Sequence, residues 1–259
     1  MKTERSKLNS RQKRDVFKKR FGEILFKAGF VYKDNCFVRV HPGECILLVG
    51  LDIERQNCYV VFDAIPLCCE ERVCNPSIMY RIDSFHKNSS YSFEEYYLKA
   101  FENGRFELQL ELFNLFVKDR FIQIQTVAQL LAFENEILFP VLQDAGRWYS
   151  KMLECMQLQE YEDARGYIQK LRNHEISCLK SEEENLRFDL QWIESKREQK
   201  LSESHFEEYA KKCKEILDLC DMWEHMISNK EYGCILDMID TRISIANEFC
   251  REKWGEFYK

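Results

Sequence analysis

The spacing of apolar positions changes part-way along this chain. From residue 35 to about 125, apolar residues alternate with polar ones or form short unbroken runs. From about 126 onward they recur every three or four positions, with almost no glycine or proline. A shift from a period of 2 towards one of 3.6 separates strand-forming from helix-forming sequence. The pattern predicts an α+β fold in two parts. Residues 1–125 form an α+β domain, an N-terminal helix packed on an antiparallel β-meander. Residues 126–259 form an all-helical bundle of antiparallel hairpins.

The elements follow from the same rhythm. Val16, Phe17, Phe21, Ile24, Leu25 and Ala28 recur at helical spacing, which predicts an amphipathic helix over 11–28 with Ser10 as N-cap and Gly29 at its C-terminal end. Strands are expected at 35–41, 44–53 and 57–65, the last stopped by Pro66, with a short one at 79–83 and a helix at 93–102. Residues 106–125 fit two patterns. Phe106, Leu108, Leu110 and Leu112 alternate with Glu107, Gln109 and Glu111 as in a strand, yet Leu108, Leu112, Leu115 and Phe116 fit a helix. The strand is preferred, paired with a second at 120–125. Helices are then expected at 126–144 (kinked near Pro140), 146–158, 160–172, 175–200, 203–228 and 230–256. Their short connections imply antiparallel neighbours.

Composition narrows the class. The chain has 259 residues, 45% hydrophobic and 32% charged, values of a globular protein and not of a disordered one. Its apolar runs, such as Cys45–Val49, fall far short of the roughly 20 residues that cross a bilayer. The N-terminal run MKTERSKLNSRQKRDVFKKRF lacks the apolar core of a secretory signal, which favours a cytoplasmic protein with no membrane partner. The twelve cysteines are dispersed through apolar stripes and read as small buried hydrophobes. Charge is uneven. Residues 1–20 carry nine basic and two acidic side chains, +7 in all, which leaves −13 for the remainder of a chain whose net charge is −6.

Candidate chemistry is sparse. Cys68, Cys69 and Cys74, with His86 beyond, have the ligand types of a zinc site, but adjacent Cys68 and Cys69 point to opposite sides of a strand and lack the paired C-x2-C spacing. No metal and no cofactor is expected. None of the five histidines stands in a catalytic frame, and no glycine-rich phosphate loop is present. Asp52, Glu54 and Asp63 invite comparison with a nuclease cluster, yet their places at strand ends and turns fit exposed carboxylates better. The basic helix is the best candidate surface: Arg14, Lys18, Lys19 and Arg20, with Arg11 and Lys13, could meet phosphates or an acidic protein. Its simpler reading is a solvated face opposite the apolar one.

The run KAGFVYKDNCFVRV, through Gly29, Phe30, Lys33, Asn35, Phe37 and Arg39, resembles a bacterial family catalogued only as a domain of unknown function. Arg81-Ile82 stands where that family has Arg-Ile-Gly, with Asp83 in place of the glycine. The resemblance implies an α+β fold and a bacterial cytosolic setting. Members occur near toxin–immunity or mobile-element loci, which implies a protein-binding role. No catalytic residue is carried over.

Taken together, these features favour a non-catalytic protein-interaction module, with a link to immunity or defence coming from the resemblance alone. The alternatives are an enzyme, a nuclease or hydrolase with its site between the two halves, and a nucleic-acid-associated factor using the basic N-terminal helix.

Overall fold

A computed structural model describes residues 9–54, 57–74, 80–82, 84–85, 106–138, 145–193 and 195–255. The expected helix at 93–102 and the kink at Pro140 lie outside them. The chain divides into two compact units, residues 1–143 with 240–259, and residues 144–239. Helices that follow the change of rhythm at 125 thus belong to both units.

The first unit opens with α1 (Ser10–Leu25), capped by Asn9 and not by Ser10. The Asn9 side chain accepts from the Gln12 backbone N–H while Gln12 reaches back to the Asn9 N–H, a reciprocal box. Gly29, at φ +83°, ends the turn that follows, and the Phe30 N–H donates to the Leu25 carbonyl at 3.0 Å. Five antiparallel strands run in sequence order: β1 (Val31–Lys33), β2 (Cys36–His41), β3 (Cys45–Glu54), β4 (Asn57–Pro66) and β5 (Tyr80–Arg81). The meander is therefore as expected, with one strand more at its start. Asp34 and Asn35 both adopt positive φ, 52° and 63°, the backbone of a tight two-residue hairpin. The unbroken apolar run Cys45–Val49 in β3 is buried throughout, as a strand covered on both faces requires.

Residues 106–121 are helical, which corrects the preference for strands there. Helix α3 (Phe106–Leu112) continues through a π-helical turn, Phe113–Val117, into α4 (Lys118–Phe121). The alternation misled because Gln109 faces the protein interior. Its amide donates to the Cys58 carbonyl at 2.9 Å, and its oxygen accepts from the Val60 N–H. It thereby closes the edge of β4 where β5 does not pair, since β5 meets only Val61 and Phe62. A buried polar residue that satisfies a sheet edge looks, in sequence, like an outward-facing strand position.

α1 and the π-helical turn that follows α3 cover the sheet with aromatic rings. Phe17 stands 5.0 Å from Phe21 and 5.4 Å from Phe37, and Phe21 stands 5.6 Å from Phe113, with Phe17, Phe21, Phe37 and Phe113 all fully buried. Helix α5 (Val127–Phe133) adds Phe133 beside Phe62 and Phe121. Its first turn is held by Glu44, whose carboxylate accepts from the Val127 N–H at 2.8 Å.

The second unit is built from α6 (Ala145–Gln157), α7 (Tyr161–Trp192) and α8 (Lys196–Ser228). Where two helices were expected over 160–200, α7 is one helix of 32 residues, because nothing near Asn173 and His174 breaks it. Arg172 of α7 pairs with Asp221 at 2.7 Å and with Glu224 of α8, and Arg165 reaches Ser228 at 3.3 Å. Ascending positions on α7 meet descending ones on α8, so the pair is an antiparallel hairpin. α6 runs antiparallel to α7 as well, with Trp148 5.4 Å from His174 and Lys151 over the Tyr167 ring. The last helix, α9 (Tyr232–Trp254), contributes its first eight residues to this unit and the rest to the first.

Candidate interaction surface

The basic helix is only partly a basic surface. Lys13 is buried at 7% exposure, so it is not available to a phosphate as the sequence suggested. Arg11, Arg14, Lys18, Lys19 and Arg20 are exposed. Lys18 lies 4.8 Å above the Tyr32 ring, and Arg20 is also engaged by another group. A shallow depression of about 410 Å³ on this helix is lined by Asp15, Lys18, Lys19, Gly22, Glu23 and Phe26. Asp15 and Glu23 balance Lys18 and Lys19 there, so the depression has no net formal charge. Outside the depression the same helix exposes Arg11, Arg14 and Arg20, a surplus of positive charge of the kind that attracts a polyanion.

Asp52 and Asp63 of the meander do not converge. Asp52 stands opposite Tyr59 and Asp63 opposite Leu48, four register positions apart on the β3–β4 ladder, or roughly 13 Å. Asp63 was expected to be exposed. It is instead fully buried, and its carboxylate accepts from Arg72 at 3.0 Å, a pairing that a charge without solvent requires.

Most of the thiols lie in packed interior positions. Eight of the twelve are buried, and only Cys74 and Cys234 are exposed. Burial pushes the Cys36, Cys155 and Cys250 thiols up to about 12, and the Glu154 carboxylate adds to the effect at Cys155. Thiols so shifted stay protonated and are poor nucleophiles. Cys68 and Cys69 are both buried while Cys74 is exposed. Among the described residues, no three His, Cys, Asp or Glu side chains are arranged to hold a metal ion.

One constellation was hidden in the sequence. Arg147, Ser150, Lys151 and Glu154 follow the i, i+3, i+4, i+7 spacing of one face of α6, and all four are buried, Ser150, Lys151 and Glu154 completely. Such a stripe reads as a solvated face when only residue types are known. Each member is engaged by other groups. Buried polar side chains of this kind favour one arrangement of a core over others.

Among the described residues, the outer half of the α7–α8 hairpin is sparsely covered. Its seam follows alternating steps of three and four: Gln199, Ser202, Phe206, Tyr209, Cys213, Ile216, Cys220, Trp223 and Ile227 on α8, facing Ala164, Ile168, Leu171, Glu175 and Cys178 on α7. Near the base of the hairpin the seam is dry, with Ala164, Ile168, Cys220 and Trp223 at 1% exposure or less. Between Glu175 and Cys213 no described side chain is buried. Phe188, Trp192 and Leu201, near the tip, are 61%, 72% and 56% exposed, and the Phe188 and Trp192 rings stand 6.1 Å apart. Large aromatic groups on a soluble surface are the usual anchors of protein interfaces. The sequence held this signal at Phe188 and Trp192, but both fit a helical stripe and were indistinguishable from core.

No helix among the described residues is long and apolar enough to cross a membrane. Comparisons with protein-family models, with curated proteins and with solved structures find no match to this chain.

Proposed function

We propose that this chain is a non-catalytic protein-interaction module whose docking element is the outer half of the α7–α8 hairpin. The observation that supports it is the uncovered stretch between Glu175 and Cys213, which ends in exposed Phe188, Trp192 and Leu201. Two helices of 32 and 33 residues extend roughly 48 Å, and a lone two-helix seam buries too little to reward so much ordered chain. A partner laid along the hairpin supplies the missing third side. The buried polar stripe on α6, the shifted thiols and the separation of Asp52 from Asp63 favour this reading over a catalytic one.

A photo-reactive amino acid placed at Phe188 or Trp192 tests the reading in cells of the native host. We expect a discrete cross-linked protein species from both positions and none from Glu162, an exposed position at the base of the hairpin. No species from the tip, or the same species from all three positions, would overturn it.

A further inference from the structure

We infer that the hairpin's partner is a second copy of this chain, bound through α7 with the two α7 helices antiparallel about a two-fold axis between Asn185 and Phe188. The inference rests on the interaction reading above and names the occupant of the same surface.

The argument begins at the contact between α6 and α7. Tyr167 and His174 are the α7 residues over which Lys151 and Trp148 of α6 lie. Steps of three and four carry this stripe past the last of these contacts, from His174 through Ser177 to Ser181, Asn185, Phe188 and Trp192. An established helix–helix interface therefore continues as an open one on the same side of the same helix. The side is also fixed by the ion pairs of Arg172 with Asp221 and Glu224. At about 100° per residue, those pairs fall on one flank of the hairpin, and Phe188, Trp192 and Leu201 fall on the other.

The stripe is free of charge in a segment crowded with it. Of the 37 residues from 176 to 212, sixteen are Asp, Glu, Lys or Arg, yet Ser181, Asn185, Phe188 and Trp192 are all neutral. Depletion of charge together with aromatic enrichment marks the centre of an interface.

Order along the stripe selects the occupant. Two small or medium residues, Ser181 and Asn185, are followed by two large ones, Phe188 and Trp192. When the stripe is laid antiparallel on a copy of itself about the stated axis, Ser181 faces Trp192 of the second copy and Asn185 faces Phe188. Each large ring meets a small partner, and the pattern is its own complement, as a two-fold interface demands. An unrelated helix has no reason to match this order.

The area sets the strength. The open length from Ser177 to Trp192 is roughly 24 Å, and two helices side by side present a face about 20 Å wide. That is on the order of 500 Å² per copy, about 1,000 Å² in all, the low end for a specific complex. The dimer should therefore be reversible and dependent on concentration.

Sedimentation velocity on the full chain from about 1 to 100 μM, where an interface of this size associates, tests the proposal. We expect a monomer–dimer equilibrium. Ser181→Lys and Trp192→Glu should each weaken it about tenfold or more. The double variant should recover most of the loss, because each introduced lysine then faces an introduced glutamate across the axis at both symmetry-related contacts. Both positions are exposed, so thermal melts should not change. If either single variant melts early, Ser181→Arg with Trp192→Asp repeats the cycle. A monomer at every concentration, a dimer indifferent to the single variants, or a double variant weaker than either single would each overturn the pairing. A monomer whose position 192 still cross-links to a different protein overturns self-association and leaves the interaction reading intact. A monomer with no cross-link from the tip overturns both.

Discussion

Arg242 of α9 and Glu70 of the short helix α2 (Glu70–Cys74) stand 2.7 Å apart, guanidinium to carboxylate, although 172 residues separate them. Two further bonds hold the same stretch of α9 to the sheet's turns: the Asn247 side-chain oxygen accepts from the Gly43 N–H at 3.3 Å, and Lys33 donates to the Lys253 carbonyl. These polar ties explain why the end of an otherwise helical half of the sequence belongs to the unit built on the sheet. Both members of the ion pair are 16% exposed, so solvent screens it only in part. Arg242→Ala leaves the Glu70 carboxylate poorly solvated and should cost about 1–3 kcal/mol, read as a lowered urea midpoint. Glu70→Gln, which keeps one hydrogen bond, should cost less. Equal effects would show that packing of the arginine stem matters more than the pair.

Gln109 carries a second prediction. Its side chain serves a backbone donor, Val60 N–H, and a backbone acceptor, Cys58 C=O, at a sheet edge it buries. Gln109→Leu keeps the volume and strands both groups, so stability should fall by about 2–4 kcal/mol, the sum of two unmet buried polar groups. Amide exchange at Val60 should quicken in the same variant. A neutral result would mean that water replaces the amide.

Where local chemistry and burial agree, the sequence was transparent. α1, the three central strands and Pro66 at the end of β4 follow from periodicity and turn residues, and Gly29 takes the left-handed conformation its place suggests. It was opaque where a polar residue goes inside. Gln109 turned a helix into an apparent strand, Asp63 passed for an exposed acid, and the burial of Arg147, Lys151 and Glu154 left no trace in the pattern. The reverse error hid the hairpin tip, where Phe188 and Trp192 fit a core stripe and are exposed. Hydrophobic pattern reports what a residue prefers, and tertiary partners decide whether the preference is met.

The N-terminal helix separates core from surface within one element. Phe21 is fully buried beside Phe17 and Phe113. Phe21→Ala should therefore cost about 3–5 kcal/mol. The double reversal Lys18→Glu with Lys19→Glu removes one cation–π contact, Lys18 over Tyr32, and should cost no more than about 1 kcal/mol. Melting curves of the two variants check the contrast. A Phe21→Ala protein with an unchanged melting temperature would show that α1 is not seated on the sheet in solution.

His41, at the end of β2, gives the protein a pH signature. Burial, reinforced by the neighbouring Arg39 guanidinium, lowers its imidazole to about 4. A base whose folded pKa lies below its unfolded value binds fewer protons when folded. Above about pH 6.5 the ring is neutral in both states and contributes no pH dependence. As the pH falls from there towards about 4, the unfolded chain takes up a proton that the folded chain refuses, so stability declines across that window and the decline levels off below it. The histidine contribution is isolated by comparing urea midpoints at pH 7.5 and 5.0 in the natural protein and in His41→Gln. We expect the natural protein to lose stability over that interval and the variant to lose distinctly less. Equal losses would assign the acid sensitivity to other groups.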